Sequence, residues 1–445
     1  MINQIIIILS ILSFITIGYL VKKQENQSIS DFTISRNRLK WFPISAGISM
    51  TFTGGAALIN MPSLGYTFSW YNLVDPIAVI SGLLIVIFFI KQYREDNGVT
   101  ISDLLSKVDR KLSILIGIIT TVVFLLFIAA QFVALSKLLM PYFPSVNPII
   151  LTIIPSTLIF SYVFLGGFVS VTRTDIMQFF FIAFLFIIPV AYFFLFKEAH
   201  ILKTNHTQPT FQAMPMNLII LLAFPLLYIP FSQDINIRAK SAVTKRQATL
   251  GVIWGGIFYS LIIISSTYIG ITLAKNGIIL DDTEKAFSTF FKEYYPHIGI
   301  IAIIATLAAI VSSLDSYSLN AISSMSNDIL LKLNPFKEKK QKVFIKISAI
   351  LVFILSLGIA LFFNKVLTLI LTALLIYIST LVPIAFGRKF KLPDSYIFTS
   401  SVLLIISIIV IELFKVELSP KAIIYPGLGV LFMISFLIIK RVKNN

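Results

Sequence analysis

Apolar stretches of about twenty residues recur along the whole chain and constrain its fold more than any other feature. A membrane-spanning α-helix needs roughly 20 mostly apolar residues. Only 13% of the 445 residues are charged, about half the share of a soluble domain. The sequence predicts an all-α polytopic membrane protein with about 13 transmembrane helices, near residues 3–21, 42–67, 70–90, 112–140, 147–166, 174–196, 216–236, 247–274, 297–331, 344–363, 365–387, 394–414 and 422–439.

The basic residues indicate how these spans are oriented. Most of the 36 lysines and arginines fall into alternate connections, such as 22–40, 91–111, 238–246 and 332–346. The positive-inside rule makes those connections cytoplasmic, so an odd number of spans puts the N-terminus outside and the C-terminus inside. We expect a multi-pass protein of the plasma (inner) membrane. The formal charge of +16 then faces lipid headgroups and requires no nucleic acid.

Two predicted spans contain residues that interrupt a helix. The second carries "SMTFTGGAALINMP" and the seventh carries "AFPLLYIPFSQD". Proline removes a backbone donor and glycine weakens a helix, so both spans should unwind locally. Unwound backbone at membrane depth lines a cavity or lies buried in protein.

The spacing of the two breaks predicts an internal repeat. Five spans begin with each broken helix, and because five is odd the two sets are inverted relative to each other, as in transporters with broken helices at the binding site. The predicted organisation is an extra N-terminal helix and cytoplasmic loop (1–41), a first inverted repeat (42–196), an external loop (197–215), a second inverted repeat (216–387) and two C-terminal helices (388–445).

The run "AAIVSSLDSYSLN", residues 308–320, places polar side chains inside an apolar span. Ala309, Ser312, Ser313, Ser316 and Asn320 share one helical face. Such serines can simply join two helices, but the run also holds an aspartate, and ionisable groups inside spans are usually functional. Hydroxyl and carbonyl oxygens are the ligands that a hard cation such as sodium prefers.

Four stretches resemble the sodium/solute symporter family, and they occur in the family's order. They are "ISAGISMTFTGGAALINMPSLGY", "YVFLGGFVSVTRTDIMQ", "FSQDINIRAKSAVTKRQA" and "AAIVSSLDSYSLNAISSMSNDIL". The resemblance implies a secondary active transporter that carries a small polar organic solute (a sugar, amino acid or organic acid) with sodium by alternating access. Proline carriers have an aspartate where this sequence has Met50, which argues mildly against proline.

The resemblance also implies which residues bind sodium. The main site would use Met50, Thr53, Ala309, Ser312 and Ser313. A second sodium site, present in some relatives, would fall on Asp175, Asp315 and Ser316. Asp175 could instead pair with Arg173 or cap its helix, and Asp315 could merely orient a neighbouring helix.

The solute should bind between the two breaks, near the middle of the bilayer. Asp75 favours a cationic or hydroxyl-rich solute, because a carboxylate accepts hydrogen bonds, unless it is an interfacial residue that binds water. The candidate solute-binding residues are Thr51, Phe52, Gly54, Gly55, Asn72, Asp75, Gln131, Tyr228, Ser232 and Gln233.

Other functions on the same fold stay open at the level of sequence. The chain could be a solute-binding sensor, an uncoupled carrier, or a carrier coupled to protons through Asp75, Asp234 or Asp315. An enzyme is not expected, because the sequence has no phosphate-binding loop and its three histidines lack the spacing of a metal pair. The oligomeric state is open, and a monomer is compatible with the sequence.

Overall fold

The structure is a computed structural model. It describes residues 2–21, 28–106, 109–192, 195, 211–295, 299–334, 340–413, 424, 425, 427–429 and 431. Within these ranges the chain forms helices, connections and one isolated β-bridge between Leu39 and Ala242. The histidines, most of the predicted external loop and most of the last predicted span lie outside them.

The helices follow the apolar stretches of the sequence. Seven stretches within the described ranges are long and apolar enough to cross a membrane, so the expected count of thirteen is not confirmed. The main helices are α1 Ile2–Val21, α2 Trp41–Phe68, α3 Val74–Glu95, α4 Arg110–Leu139, α5 Pro148–Ile182, α6 Met216–Leu222, α7 Gln233–Ser241, α8 Lys245–Lys275, α9 Ala286–Tyr294, α10 Gly299–Ser323, α11 Gln341–Phe362, α12 Val366–Lys389 and α13 Asp394–Leu413.

Both predicted breaks are confirmed. In α2 the helical backbone is interrupted at Gly54, with φ 47° and ψ 164°, a conformation that glycine adopts without steric cost. The predicted seventh span divides into α6, the short helices Pro225–Tyr228 and Ile229–Phe231, and α7. Extended backbone at Ser232 separates the last two of these pieces.

The connection expected between the fifth and sixth spans is not a loop. Two helical segments of α5 meet directly at Gly167, with φ 61° and ψ −168°. A glycine can change the direction of the chain within one residue because it has no Cβ to clash at positive φ. The two predicted spans therefore join without a polar connection.

The centre of the bundle is built on α2, α8 and α10. Glycines of α8 let it lie close to α2: a Cβ on Gly255 would come within 2.8 Å of Ile48, and one on Gly270 within 1.9 Å of the Pro62 carbonyl. Small residues permit such approach between membrane helices. The helix α10 packs against α2, α4 and α5 and is buried along almost its whole length, so its polar side chains face other helices.

Candidate functional site

The break in α2 turns backbone carbonyl groups toward α10. The Ser313 hydroxyl donates to the Met50 carbonyl at 3.1 Å and lies 3.4 Å from the Thr51 carbonyl. The Tyr317 hydroxyl donates to the same Thr51 carbonyl at 2.8 Å. A Cβ at Gly54 would lie 2.8 Å from the Ser313 oxygen, so the close approach of the two helices depends on glycine there.

The five predicted sodium ligands differ in the groups that they contact. Met50 and Ser313 are in direct contact, and Ala309 precedes Ser313 by one helical turn. Ser312 instead donates to an Asp175 oxygen at 2.5 Å. The Thr53 hydroxyl is fully buried and has no hydrogen-bond partner among the described residues. The seam between α2 and α10 thus supplies both kinds of oxygen, hydroxyl and carbonyl, that a sodium ion needs.

A buried guanidinium joins four helices next to this seam. Arg238 on α7 is 1% exposed, and its Nε donates to Asp234 at 2.8 Å. Its Nη2 donates to Thr51 at 3.0 Å and to Asp175 and Ser316 at 3.1 Å each. Because Arg238 bridges α2, α5, α7 and α10, it is a structural link between the two broken helices.

The burial of Arg238 corrects the sequence-based assignment to a cytoplasmic connection. The break before α7 places this helix inside the bundle, where the aspartate four residues earlier lies on the same helical face. Gly47 makes room for the side chain, because a Cβ there would lie 1.7 Å from Arg238 Nη1. The alternative partner of Asp175 is also wrong, since Arg173 is exposed.

The second predicted sodium ligands lie in the same polar region. Asp175 and Ser316 share the Arg238 Nη2 group, and Ser316 also accepts a hydrogen bond from the Thr51 hydroxyl at 3.0 Å. Asp315 accepts a hydrogen bond from Thr174 at 3.1 Å. A cationic group is therefore already held by two of the three residues.

We call the end of the bundle that carries Arg94 and Lys240 the inner end, and the opposite end, with Asp75 and Lys137, the outer end. A cavity opens between the α2 break and the outer end, with about 770 Å³ of empty space including its mouth. Its lining includes the candidates Phe52, Thr53, Asp75, Gln131 and Tyr228, together with Asn60, Phe127, Tyr259 and Tyr317.

Asp75 is the one carboxylate in the lining of this cavity. It is 8% exposed, and the Tyr259 hydroxyl donates to it. All residues of the lining fall within the described ranges, and none of them is a lysine, arginine or histidine. The alternative reading of Asp75, an interfacial residue that binds water, does not fit this burial.

Other candidates for the solute site lie outside the cavity lining. Asn72 donates to Thr267 at 2.8 Å and connects the start of α3 to α8. Gln233 donates to the Asn320 carbonyl at 2.9 Å and accepts from Ser324. The remaining four are Thr51, held by Arg238; Gly54, at the seam; Gly55, packed on Ile310; and Ser232, which is buried at the start of α7.

Ion pairs tie the inner end together. Lys240, whose side chain is fully buried, pairs with Asp96 at 2.6 Å. Lys332 pairs with Asp103 at 3.1 Å. Burial by itself would raise the pKa of Asp103, but the charge of Lys332 and hydrogen bonds from the backbone of Val99 and Thr100 lower that pKa below its ordinary value.

Comparison with protein families decides what kind of protein has this arrangement. The model of the sodium:solute symporter family matches residues 32–386, most of the chain. The chain belongs to the sodium:solute symporter family. A curated relative, sodium/proline symporter 2 of Staphylococcus saprophyticus, is 25% identical over 390 residues, covering 80% of this chain and 74% of the relative.

Solved structures share the symporter's fold. A substrate-bound, outward-open Na⁺-coupled sialic acid symporter aligns with a TM-score of 0.74 at 17% identity, covering 98% of this chain and 96% of that one. The nucleobase-cation-symport-1 family transporter Mhp1, in a closed conformation with bromovinylhydantoin, aligns with a TM-score of 0.56 at 13% identity, covering 94% and 95%. These structures confirm the predicted fold class of transporters with broken helices.

The symporter is therefore a multi-pass membrane protein that couples transport of a small solute to sodium, and it is not an enzyme. Sequence reasoning missed Asn60, Phe127, Tyr259 and Tyr317 in the cavity lining. Single aromatic residues in apolar helices give no signal that separates a cavity wall from a packed core. Only the polar hydroxyl of tyrosine, which needs a partner when buried, could have drawn attention to Tyr259 and Tyr317.

Proposed function

We propose that the symporter works by alternating access and that sodium binds where α10 crosses the break in α2. One observation carries this proposal: the Ser313 hydroxyl lies 3.1 Å from the Met50 carbonyl across the break. Hydroxyls and unwound carbonyls coordinate sodium without a full buried charge. The proposed ligands are Met50, Thr53, Ala309, Ser312 and Ser313.

A second sodium ion would bind at Asp175, Asp315 and Ser316. Its support is that Asp175 and Ser316 already hold the cationic group of Arg238 at 3.1 Å. A second ion would have to share these oxygens with the guanidinium. The Hill coefficient for sodium in solute uptake tests this, since one ion gives a value of 1 and two coupled ions give a value approaching 2.

The solute would bind in the cavity at the outer side of the α2 break. In support, four of the ten candidate solute-binding residues line it, Phe52, Asp75, Gln131 and Tyr228, together with the predicted sodium ligand Thr53. The cavity adjoins the sodium seam through Gly54, whose Cβ position lies 3.0 Å from the Gln131 side chain and 2.8 Å from the Ser313 oxygen. A shared element of this kind lets occupation of one site change the affinity of the other.

Sodium would favour the conformation with the cavity open to the outer end by bracing α2 against α10. Linkage then requires that sodium and solute increase each other's affinity by the same factor. The outer end would face the outside of the plasma (inner) membrane, with the N-terminus outside. The clustering of Arg36, Arg94 and Lys240 at the opposite end supports this orientation.

The experiment is the melting temperature of the purified protein in sodium chloride against potassium chloride. We expect sodium to raise it and the double variant Ser312→Ala/Ser313→Ala to remove the rise, because both hydroxyls would coordinate the ion. Ser318→Ala is the matched control on α10, since its buried hydroxyl has no partner among the described residues.

A rise that persists in the double variant would show that sodium binds elsewhere. The seam would then serve only to join two helices. A rise lost equally in Ser318→Ala would indicate general destabilisation of α10 rather than loss of ligands.

A further inference from the structure

The wall of the outer cavity is rich in aromatic side chains. Five of its lining residues are aromatic and form a continuous series of ring contacts. Centroid distances are 6.4 Å for Tyr259–Phe52, 6.4 Å for Phe52–Tyr228, 5.9 Å for Tyr228–Phe127 and 5.1 Å for Phe127–Tyr317. The series connects α8, α2, the short helix after α6, α4 and α10, so it surrounds one space.

Two of the three tyrosines in this wall already use their hydroxyls in hydrogen bonds to the protein. Tyr259 donates to Asp75 and Tyr317 donates to the Thr51 carbonyl. What these two residues offer a solute is therefore mainly the π-face or edge of each ring. The negative face of an aromatic ring attracts cations, most strongly where water is excluded.

The charge of the cavity has one sign. Asp75 accepts a single hydrogen bond among the described residues, from Tyr259, and no cationic side chain lines the cavity to neutralise it. Lys137, a lysine at the outer end, is paired with both Asp282 and Glu284. A buried carboxylate without a cation is costly, so its natural partner is a cationic group on the ligand.

Few polar atoms remain for hydroxyl groups. The Thr53 hydroxyl and the Asn60 side-chain oxygen are buried without a partner among the described residues, and the rest of the lining beyond Gln131 is largely aliphatic or aromatic. A sugar would need partners for several hydroxyls, whereas an amine with a small apolar body needs one counter-ion and rings. The unpartnered oxygens would take one further polar group of the ligand.

We propose that the solute carried in this cavity bears a protonated or quaternary amine, bound between Asp75 and the aromatic wall. The proposal rests on the proposed function, because it assigns the substrate class of the same site. Asp75 is then the specificity-determining residue. Tyr259 is a positioning residue that holds the carboxylate through its hydroxyl.

The test uses the full-length purified protein in sodium chloride and measures binding by calorimetry. The probes are tetramethylammonium, choline and methylammonium. The neutral controls are 3,3-dimethylbutanol, which replaces the choline nitrogen by carbon, and glucose; acetate is the anionic control. Potassium replaces sodium in the blank, because organic cations would compete with the probes.

We expect at least one amine to bind at least about tenfold more tightly than its neutral isostere, as a desolvated cation on aromatic rings and a carboxylate requires. Asp75→Asn should lower that affinity at least about tenfold and leave the sodium-induced rise in melting temperature intact. Asp281→Asn is the control, since this exposed aspartate pairs with its neighbour Lys285 at the outer end.

Two results would overturn the amine assignment while the sodium proposal stands. One is a sodium-induced rise with no amine binding better than its neutral isostere. The other is amine affinity that Asp75→Asn leaves unchanged. If sodium does not raise the melting temperature of the wild-type protein, the proposed function itself is contradicted. The failure of the amine assignment and the failure of the proposed function are therefore distinguishable.

Discussion

Two buried regions of this symporter contain carboxylates, and the two regions differ in whether a cationic side chain pairs with them. In the first region, Arg238 donates to Asp234 and Asp175 and also to the hydroxyls of Thr51 and Ser316. In the outer cavity, Asp75 accepts from one tyrosine and, among the described residues, no cation lines the cavity beside it. A buried charge is stable only when it is paired or hydrogen-bonded. The carboxylates Asp175 and Asp234 are therefore neutralised by Arg238, whereas Asp75 faces the cavity with no cationic partner among the described residues.

Arg238→Met should have the largest effect on the stability of the protein. Removing the guanidinium leaves buried carboxylates without their partner, which costs about 3–5 kcal/mol of stability. We expect a large drop in melting temperature in detergent, or loss of the folded protein. Adding Asp234→Leu should recover part of the loss, because one of the orphaned charges is then gone.

Lys91→Met is the control for the charge change. Lys91 forms an exposed pair with Glu95 at 3.8 Å, and such pairs contribute about 0–1 kcal/mol. Equal losses from Arg238→Met and Lys91→Met would show that the inner network does not stabilise the fold through charge pairing.

Gly54→Ala tests the close contact between α2 and α10. The residue has positive φ, and a Cβ would lie 2.8 Å from the Ser313 oxygen. With ψ at 164°, the backbone of Gly54 lies in a positive-φ region that is almost restricted to glycine, and such a conformation costs a non-glycine residue about 1–3 kcal/mol. We expect a lower melting temperature and a smaller rise on adding sodium, because the α2–α10 seam must open.

The control is Gly358→Ala in α11, where a Cβ would meet no atom within 4 Å. Alanine favours a helix over glycine by about 1 kcal/mol, so this variant should be neutral or slightly stabilised. A Gly54→Ala protein that behaves like Gly358→Ala would mean that the break in α2 does not require glycine.

Asp103→Asn tests the ion pairs of the inner end through their pH dependence. The pKa of Asp103 is lowered in the folded protein, so its stabilising contribution is present above its unfolded pKa, near 4, and is lost as the pH falls through the folded value. We expect the variant to be about 1 kcal/mol less stable than wild type at pH 7.

Melting temperatures measured from pH 7 down to pH 3 check this prediction. The gap between variant and wild type should narrow below about pH 4. A gap that stays constant over this range would assign the loss to packing rather than to the charge of Asp103.

Asp75→Asn should have the smallest effect on stability of the variants considered. The amide still accepts from Tyr259 but removes a buried charge that has no cation. We expect the melting temperature without solute to stay within about 1 kcal/mol of wild type or to rise. A loss as large as that of Arg238→Met would show that Asp75 has a protein partner in the folded state.

Much of the seam between α2 and α10 could be predicted from the sequence. Glycines and hydroxyls in the second span indicated the break at Gly54, and prolines indicated the break before α7. The serine pair on one face of α10 indicated a contact with oxygen-rich backbone, and Ser313 does reach the Met50 carbonyl. These features depend on local chemistry: backbone conformation and the period of a single helix.

The partners of the ionisable groups could not be predicted in the same way. Arg238 was expected in a basic cytoplasmic connection, but it is buried beside Asp175. Asn72 and Gln233, which are candidate solute-binding residues, lie outside the cavity lining, and their partners Thr267 and Asn320 are distant in sequence. The sequence did not indicate the partner of Tyr259, which donates to Asp75 across 184 residues of sequence.

The sequence by itself determined the membrane class, the two broken helices and the oxygen-rich face of α10, because hydropathy, glycine and proline act over one or two helical turns. The tertiary structure decided which carboxylates are neutralised inside the protein and which one faces a cavity. The physical reason is that the free energy of a buried charge depends on groups brought within about 4 Å by packing, and residues far apart in sequence supply those groups.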